Sequence, residues 1–171
     1  MSMIEIAVII PCYNCADTVK QAVYSVINQT VKVSQIILVD DCSTDQSFTI
    51  ASEAISDDRF LFLPSEINRG PQVQRNEQLR RAKGKYFFVL DADDIWHPDK
   101  IQLQVEYMER YDEIFALGTA VNIGEVAFAT SNPIARKSAV NEILKTQLFW
   151  ETPIWHNSLM FRTETAQRLN L

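Results

Sequence analysis

Three short runs in this chain carry side chains able to do chemistry: Pro11-Cys-Tyr-Asn14, Asp40-Asp41-Cys-Ser-Thr-Asp45 and Asp91-Ala-Asp93-Asp94. Carboxylates are hard oxygen donors, and this spacing suits Mg²⁺ or Mn²⁺, held by one or two of them and completed by substrate phosphates. A single Asp at such a place would only cap the following helix. If the strands behind these loops are neighbours, four or five carboxylates converge at one rim. Such a cluster repels itself unless a cation is bound or some members point away.

The elements that must position these loops follow from hydrophobic periodicity. Ile4 to Ile10 is a β-branched run suited to a strand buried on both faces, stopping at Pro11. Asp17 or Thr18 can cap a helix whose apolar positions Val19, Ala22, Val23, Val26 and Ile27 recur at helical spacing. Ile36 to Val39 is a second buried strand, followed by a helix through about Ile55 and a short strand at Phe60 to Leu63. Asn68-Arg-Gly70-Pro71 is a turn into a helix that runs to Gly84, with Arg80, Arg81 and Lys83 complementing its dipole. Tyr86 to Leu90 is a central strand, and Pro98 begins a helix carrying Ile101, Leu103, Val105 and Met108. The stretch from Thr119 to Trp155 is less regular. A strand resumes at Asn157 to Phe161, and a helix from Thr163 to Leu169 closes the chain.

Strands and helices that alternate in this way predict an α/β fold with a mostly parallel sheet flanked by helices. In open sheets of that kind, ligands bind outside the carboxyl ends of the strands, where all three polar runs fall. At 171 residues the chain suits a single domain, with 47% hydrophobic residues and 22% charged. Lys+Arg at 16 against Asp+Glu at 22 gives a net charge of −6, which excludes binding nucleic acid by charge alone. No apolar run approaches the ~18 residues of a membrane span, and the first residues lack a basic signal region. The expectation is a cytoplasmic protein with no integral membrane segment, compatible with peripheral association at the inner face. Three cysteines without a secretory signal predict no disulfide framework.

Taken in order, Val8-Ile-Ile-Pro11-Cys-Tyr13-Asn14, Val39-Asp40-Asp41-Cys-Ser43-Thr-Asp45, Asn68-Arg-Gly70 with Arg75-Asn76, and Leu90-Asp91-Ala-Asp93-Asp94 resemble the family 2 inverting glycosyltransferases of the GT-A fold. The likeness is close from Ile4 to Lys100, and Asn157-Ser-Leu-Met-Phe-Arg162 is a weaker echo of a later strand. The resemblance implies a nucleotide-sugar donor, in the first instance UDP-linked, and a cell-envelope glycan or lipid-linked acceptor. It implies that Asp40 accepts a hydrogen bond from the nucleotide base, and that Pro11 and Tyr13 lie against base and ribose. Arg75 falls near base and diphosphate. Asp91 and Asp93 match the D-x-D pair, one near the ribose or a metal-bound water, the other ligating a Mg²⁺ or Mn²⁺ that bridges the diphosphate. Asp94 is an alternative ligand, or a cap for the helix near Pro98.

An inverting transfer also needs a general base for the acceptor hydroxyl. In the family this is an acidic residue after a Gly-Gly-Phe-like segment, and Leu171 arrives before any such segment. The expectation is therefore the nucleotide-binding half of a glycosyltransferase, short on the acceptor side, with His156 as the candidate base. Phe149, Trp150 and Trp155 are candidates for a flap over the sugar or for the core. A catalytically incomplete nucleotide-sugar-binding module is the first alternative. A nucleotidyltransferase shares the βαβ plan, but would need a Gly-rich basic first loop that Pro11-Cys-Tyr-Asn14 does not supply. Cys12-Tyr-Asn-Cys15 also sits where a redox CxxC would, between a strand and a helix.

Overall fold

Strand β1, Ile6–Cys12, is almost wholly buried and takes a central place in the sheet. The computed structural model describes residues 4–54, 58–119, 121 and 156–169. After β1 come α1 (Val19–Ile27), β2 (Gln35–Asp40), α2 (Ser47–Ala54), β3 (Phe60–Pro64), α3 (Pro71–Arg81), β4 (Tyr86–Val89), α4 (Lys100–Arg110) and β5 (Ala116–Leu117). A 3₁₀ turn at His156–Ser158 leads into β6 (Met160–Arg162) and α5 (Thr163–Leu169). The sheet order is β3-β2-β1-β4-β6-β5. The first four strands in that order are parallel, and β6 runs antiparallel to both β4 and β5.

The apolar runs of β1 and β2 follow from burial on both faces. Ile6, Val8 and Ile10 pack with Val19, Val23 and Val26 of α1 and Ile101, Val105 and Met108 of α4 on one side. Ala7, Ile9 and Ile37 pack with Leu79 of α3 and Ala166 of α5 on the other. Leu103, grouped by the sequence with the core positions of α4, is 39% exposed, because it lies off the stripe formed by 101, 105 and 108.

Several local expectations are corrected. Strand β1 does not stop at Pro11 but carries it, in register with Val39. Ile9 O accepts from Leu90 N on the β4 side, and Cys12 O accepts from Asp41 N on the β2 side. Pro11 therefore faces the β4 side beyond that strand's end at Val89, where its missing N–H forfeits no ladder bond. Helix α3 ends at Arg81 rather than Gly84, because Ala82 is extended at φ −64° and ψ 130°. Asn157 and Ser158 belong to the 3₁₀ turn, not to the strand. The two-residue β5 had no signal of its own. Cys12 and Cys15 are joined by a disulfide, where the sequence predicts none, and Cys42 is free. That bridge spans two intervening residues and closes the Tyr13-Asn14 loop rather than stapling distant parts of the chain. Phe149, Trp150 and Trp155 lie outside the described residues.

Candidate functional site

The strand order reverses beside β1: the chain moves outward through β2 and β3, then returns to place β4 on the other side of β1. Loops at the carboxyl ends of β1 and β4 diverge at such a point and leave a crevice. Here the crevice is bordered by Pro11-Cys-Tyr-Asn14 and Asp91-Ala-Asp93-Asp94, with Asp40 at the end of adjacent β2. The three polar runs do come from neighbouring strands.

The first loop is held by the second. Asn14, in the left-handed region at φ 48°, donates its N–H to Ser43 Oγ at 2.9 Å and accepts from Thr44 N at 2.9 Å. Cys15 N donates to Ser47 Oγ, and Asp45 accepts from Ala16 N. Thr18 sits at the α1 N-cap without a side-chain capping bond, so Asp45, from the loop after adjacent β2, does the ordering that the sequence assigned to Asp17 or Thr18. Tyr13 is left half exposed over the rim.

Asp40 and Asp41 are adjacent, both buried, and do different things. Asp41 accepts from Arg69 N (2.9 Å), Gly70 N (2.7 Å) and the Gln74 side-chain amide, which fixes the turn into α3. Among the described residues Asp40 accepts only from Ser43 N, at 3.2 Å through Oδ2, and its Oδ1 is buried with no partner. A buried carboxylate oxygen without a donor is costly, and this one belongs to the last residue of β2.

Arg75, projecting from α3, pairs with Asp91 at 2.6 Å, while its Nε is buried without an acceptor. These two residues are thus brought together. Asp93 is exposed. Asp94 is not a cap for α4, whose N-cap is Asp99; it accepts instead from the side-chain amide of Asn157. Burial raises the Asp94 carboxyl above its ordinary value; the Asn157 bond opposes this, while the charges of Asp93 and Asp91 add to it. The anticipated convergence of four or five carboxylates is not what forms. Among the described residues, no three His, Cys, Asp or Glu side chains gather as a metal cage, because each rim carboxylate but Asp93 has its own protein partner. His156 opens the 3₁₀ turn, and its side chain lies outside the described residues.

The profile of the family described as Glycosyl transferase family 2 matches residues 7–167. The chain belongs to that family. Among curated relatives of this family 2 chain, a putative teichuronic acid biosynthesis glycosyltransferase of Bacillus subtilis is 40% identical over 104 residues, covering 60% of this chain and 41% of that protein. An Escherichia coli UDP-Glc:alpha-D-GlcNAc-diphosphoundecaprenol beta-1,3-glucosyltransferase is 38% identical over 111 residues, covering 65% of this chain and 44% of that protein. The chain spans less than half the length of either relative. The mannosyltransferase PcManGT from Pyrobaculum calidifontis, solved with GDP-Man and Mn²⁺, superposes with a TM-score of 0.73 at 21% identity, covering 97% of this chain and 46% of that one. S. aureus TarS with UDP-GlcNAc superposes with a TM-score of 0.70 at 20% identity, over 97% and 47% of the two chains. The fold of this family 2 chain is GT-A.

The residues present fit a divalent cation through a single carboxylate. Exposed Asp93 offers a free carboxylate at the rim, and the mutual repulsion of Asp91, Asp93 and Asp94 is what a cation would relieve. One protein carboxylate is enough where substrate phosphates complete the shell. The bond from Asn157 to Asp94 could not be read in the sequence, because 63 residues separate the partners.

Lys100 was also missed, although Lys100 and Gln104 stand one turn apart beside Ile101 and Val105 on the buried face of α4. Its ammonium is buried and lies 5.1 Å from the Trp96 ring centre, donating to Gln104 Oε1 and to Ser158 O. Burial pushes it down to about 7. Between about pH 7 and 10 the unfolded chain then binds one more proton at this residue than the folded one, so the folded state gains stability as pH rises. Wild type should gain on Lys100→Met by on the order of 1.4 kcal/mol per pH unit in that window. Thermal unfolding of both proteins at several pH values tests this, and a gap independent of pH would refute it.

Proposed function

We propose that this chain binds a UDP-sugar, with Mg²⁺ or Mn²⁺, and serves an inverting transfer of the sugar to a cell-envelope glycan or lipid-linked acceptor. The observation that carries the reading is the partnerless, buried Oδ1 of Asp40 at the carboxyl end of β2. A charged acceptor there suits the imide N–H of uracil or thymine. Cytosine presents a lone pair at that position, so two acceptors would face each other. Pro11 and Tyr13 offer an apolar and aromatic edge against base and ribose. The buried Arg75 Nε supplies positive charge toward the diphosphate.

Cleavage of a glycosyl–phosphate bond builds charge on the leaving diphosphate, and a divalent ion held at Asp93 supplies Lewis-acid neutralisation when bound. The protein's own part is positional: Asp40 orients the base, and the Arg75–Asp91 pair ties helix α3 to the acidic loop after β4. His156 remains the proposed base on the acceptor side. The named relatives support the envelope setting, one by its teichuronic acid assignment and the other by its diphosphoundecaprenol-linked acceptor.

Calorimetry with UDP and CDP, in Mn²⁺ and in EDTA, tests the reading. UDP should bind in Mn²⁺ at least tenfold more tightly than CDP, and Asp40→Asn should cost about 1.5–3 kcal/mol of UDP affinity. CDP binding as well as UDP would remove the Asp40 assignment, and equal UDP affinity in EDTA would remove the metal.

The Cys12–Cys15 bridge is the one observation favouring a redox function. Reactive thiols sit in partly exposed surroundings, whereas Cys12 is buried on β1. The bridge instead stiffens the loop that carries Tyr13.

A further inference from the structure

We infer that Asn157 is a positioning residue for the Asp91–Asp94 loop, holding it ready for a divalent cation through a clamp built from Trp96, Lys100 and Gln104. The inference rests on the proposed metal and nucleotide reading of that loop, and adds to it a residue from the far side of the chain.

The side-chain amide of Asn157 donates to Asp94 Oδ2. Asn157 is itself gripped from behind: its carbonyl accepts from Trp96 Nε1 at 3.1 Å. The next carbonyl, that of Ser158, accepts from Lys100 Nζ at 2.8 Å and from Gln104 Nε2 at 3.1 Å. Gln104 Nε2 also donates to Leu117 O at 2.7 Å, which ties the same knot to β5. Lys100 lies over the Phe88 and Trp96 rings, 5.6 and 5.1 Å from their centres, so β4 and the start of α4 are locked to the turn. The 3₁₀ turn is thereby fixed to elements on both sides of the acidic loop, and the Asn157 amide is the part that reaches the loop.

Two features mark this as positioning rather than packing. A carboxylate can only accept, so the amide must turn its NH₂ to Asp94, and Asn157 Oδ1 is then left buried without a partner among the described residues. A residue retained only for stability would not leave that acceptor unpaired. Asp94, in addition, is next to exposed Asp93, the carboxylate best placed to meet a cation. Fixing Asp94 by a neutral donor sets the loop's shape while leaving its negative charge in place. A basic residue at 157 would form a stronger bond but would also cancel charge that the cation needs.

The test is a Mn²⁺ titration of UDP binding, followed by calorimetry, for wild type, Asn157→Ala and Trp96→Phe. The second variant keeps an aromatic ring beside Phe88 and Lys100 but removes the indole N–H that holds the Asn157 carbonyl, together with part of the indole. Both should raise the Mn²⁺ concentration for half-maximal binding, about tenfold for Asn157→Ala and several-fold for Trp96→Phe. At saturating Mn²⁺ the UDP affinity should return to within twofold of wild type, and the weak binding in EDTA should be unchanged. A merely structural role would lower binding equally with and without metal. Variants that keep the wild-type Mn²⁺ dependence while wild type binds UDP normally would overturn the positioning role alone. A wild-type chain that binds no UDP with Mn²⁺ would overturn the reading of the site, and this inference with it. Should Asn157→Ala fail to fold, Trp96→Phe decides.

Discussion

Asp41→Ala should lower the melting temperature by roughly 10 °C, whereas Asp40→Ala, one residue away, should leave it nearly unchanged while weakening UDP binding by about 1.5–3 kcal/mol. Asp41 accepts two backbone N–H groups and a side-chain amide, all at the turn into α3. Its loss strands three donors around a buried site. Bonds to a charged acceptor contribute about 1.5–3 kcal/mol each and do not add fully, so a total of about 3–5 kcal/mol is expected. For a domain of this size each kcal/mol shifts melting by about 2–4 °C. Asp40 has one long bond, from Ser43 N at 3.2 Å, and an oxygen with no donor. Removing it relieves a buried lone acceptor and forfeits little. Scanning calorimetry and UDP titration on both variants separate the two roles. Equal loss of stability would show that Asp40 is structural and would undercut the proposed base contact.

Gly84→Ala should destabilise the fold by about 3 kcal/mol or more, from backbone strain and overpacking together. Gly84 adopts φ +102°, and a Cβ there would lie 2.6 Å from Glu5 O and 2.7 Å from Glu5 C. These are backbone atoms at the entry to β1, and Glu5 O already accepts from Lys85 N at 2.9 Å. Neither side can move without disturbing the β1–β4 register that places the two crevice loops. Gly70 is the control: it too has positive φ, at +82°, but a Cβ there meets nothing within 4 Å. Gly70→Ala should therefore cost only the conformational strain, about 1–3 kcal/mol. Urea unfolding of both variants checks the contrast, and a Gly84→Ala chain within 1 kcal/mol of Gly70→Ala would rule out the backbone clash.

The repeating strands and helices from Ile6 to Arg110, and the strand-end position of Pro11, Tyr13, Asp40 and Asp91 to Asp94, were legible in the residues themselves, whereas Arg75 was singled out only by the family resemblance. Buried parallel strands need continuous apolar runs, their helices need a 3.6-residue stripe, and strand ends need polar punctuation; all three are local demands. Helix α5 likewise has the bounds its sequence indicates. Which polar side chain serves the fold and which is left for a ligand is a different kind of fact. Asp40 and Asp41 are the same residue type in consecutive positions, and only the arrival of the 69–74 segment against one of them divides their roles. The expected cluster of carboxylates was dispersed in the same way, by Arg75 from α3 and by Asn157 from a turn 63 residues beyond Asp94. The burial of Lys100 depended on Ser158 and Gln104 meeting across α4 and the turn before β6. Hydrophobic period and turn chemistry act over a few residues, so the chain declares its elements and its rim. Hydrogen-bond partners across the sheet's carboxyl edge are assigned only when distant segments come into contact, and it is tertiary structure that makes this assignment.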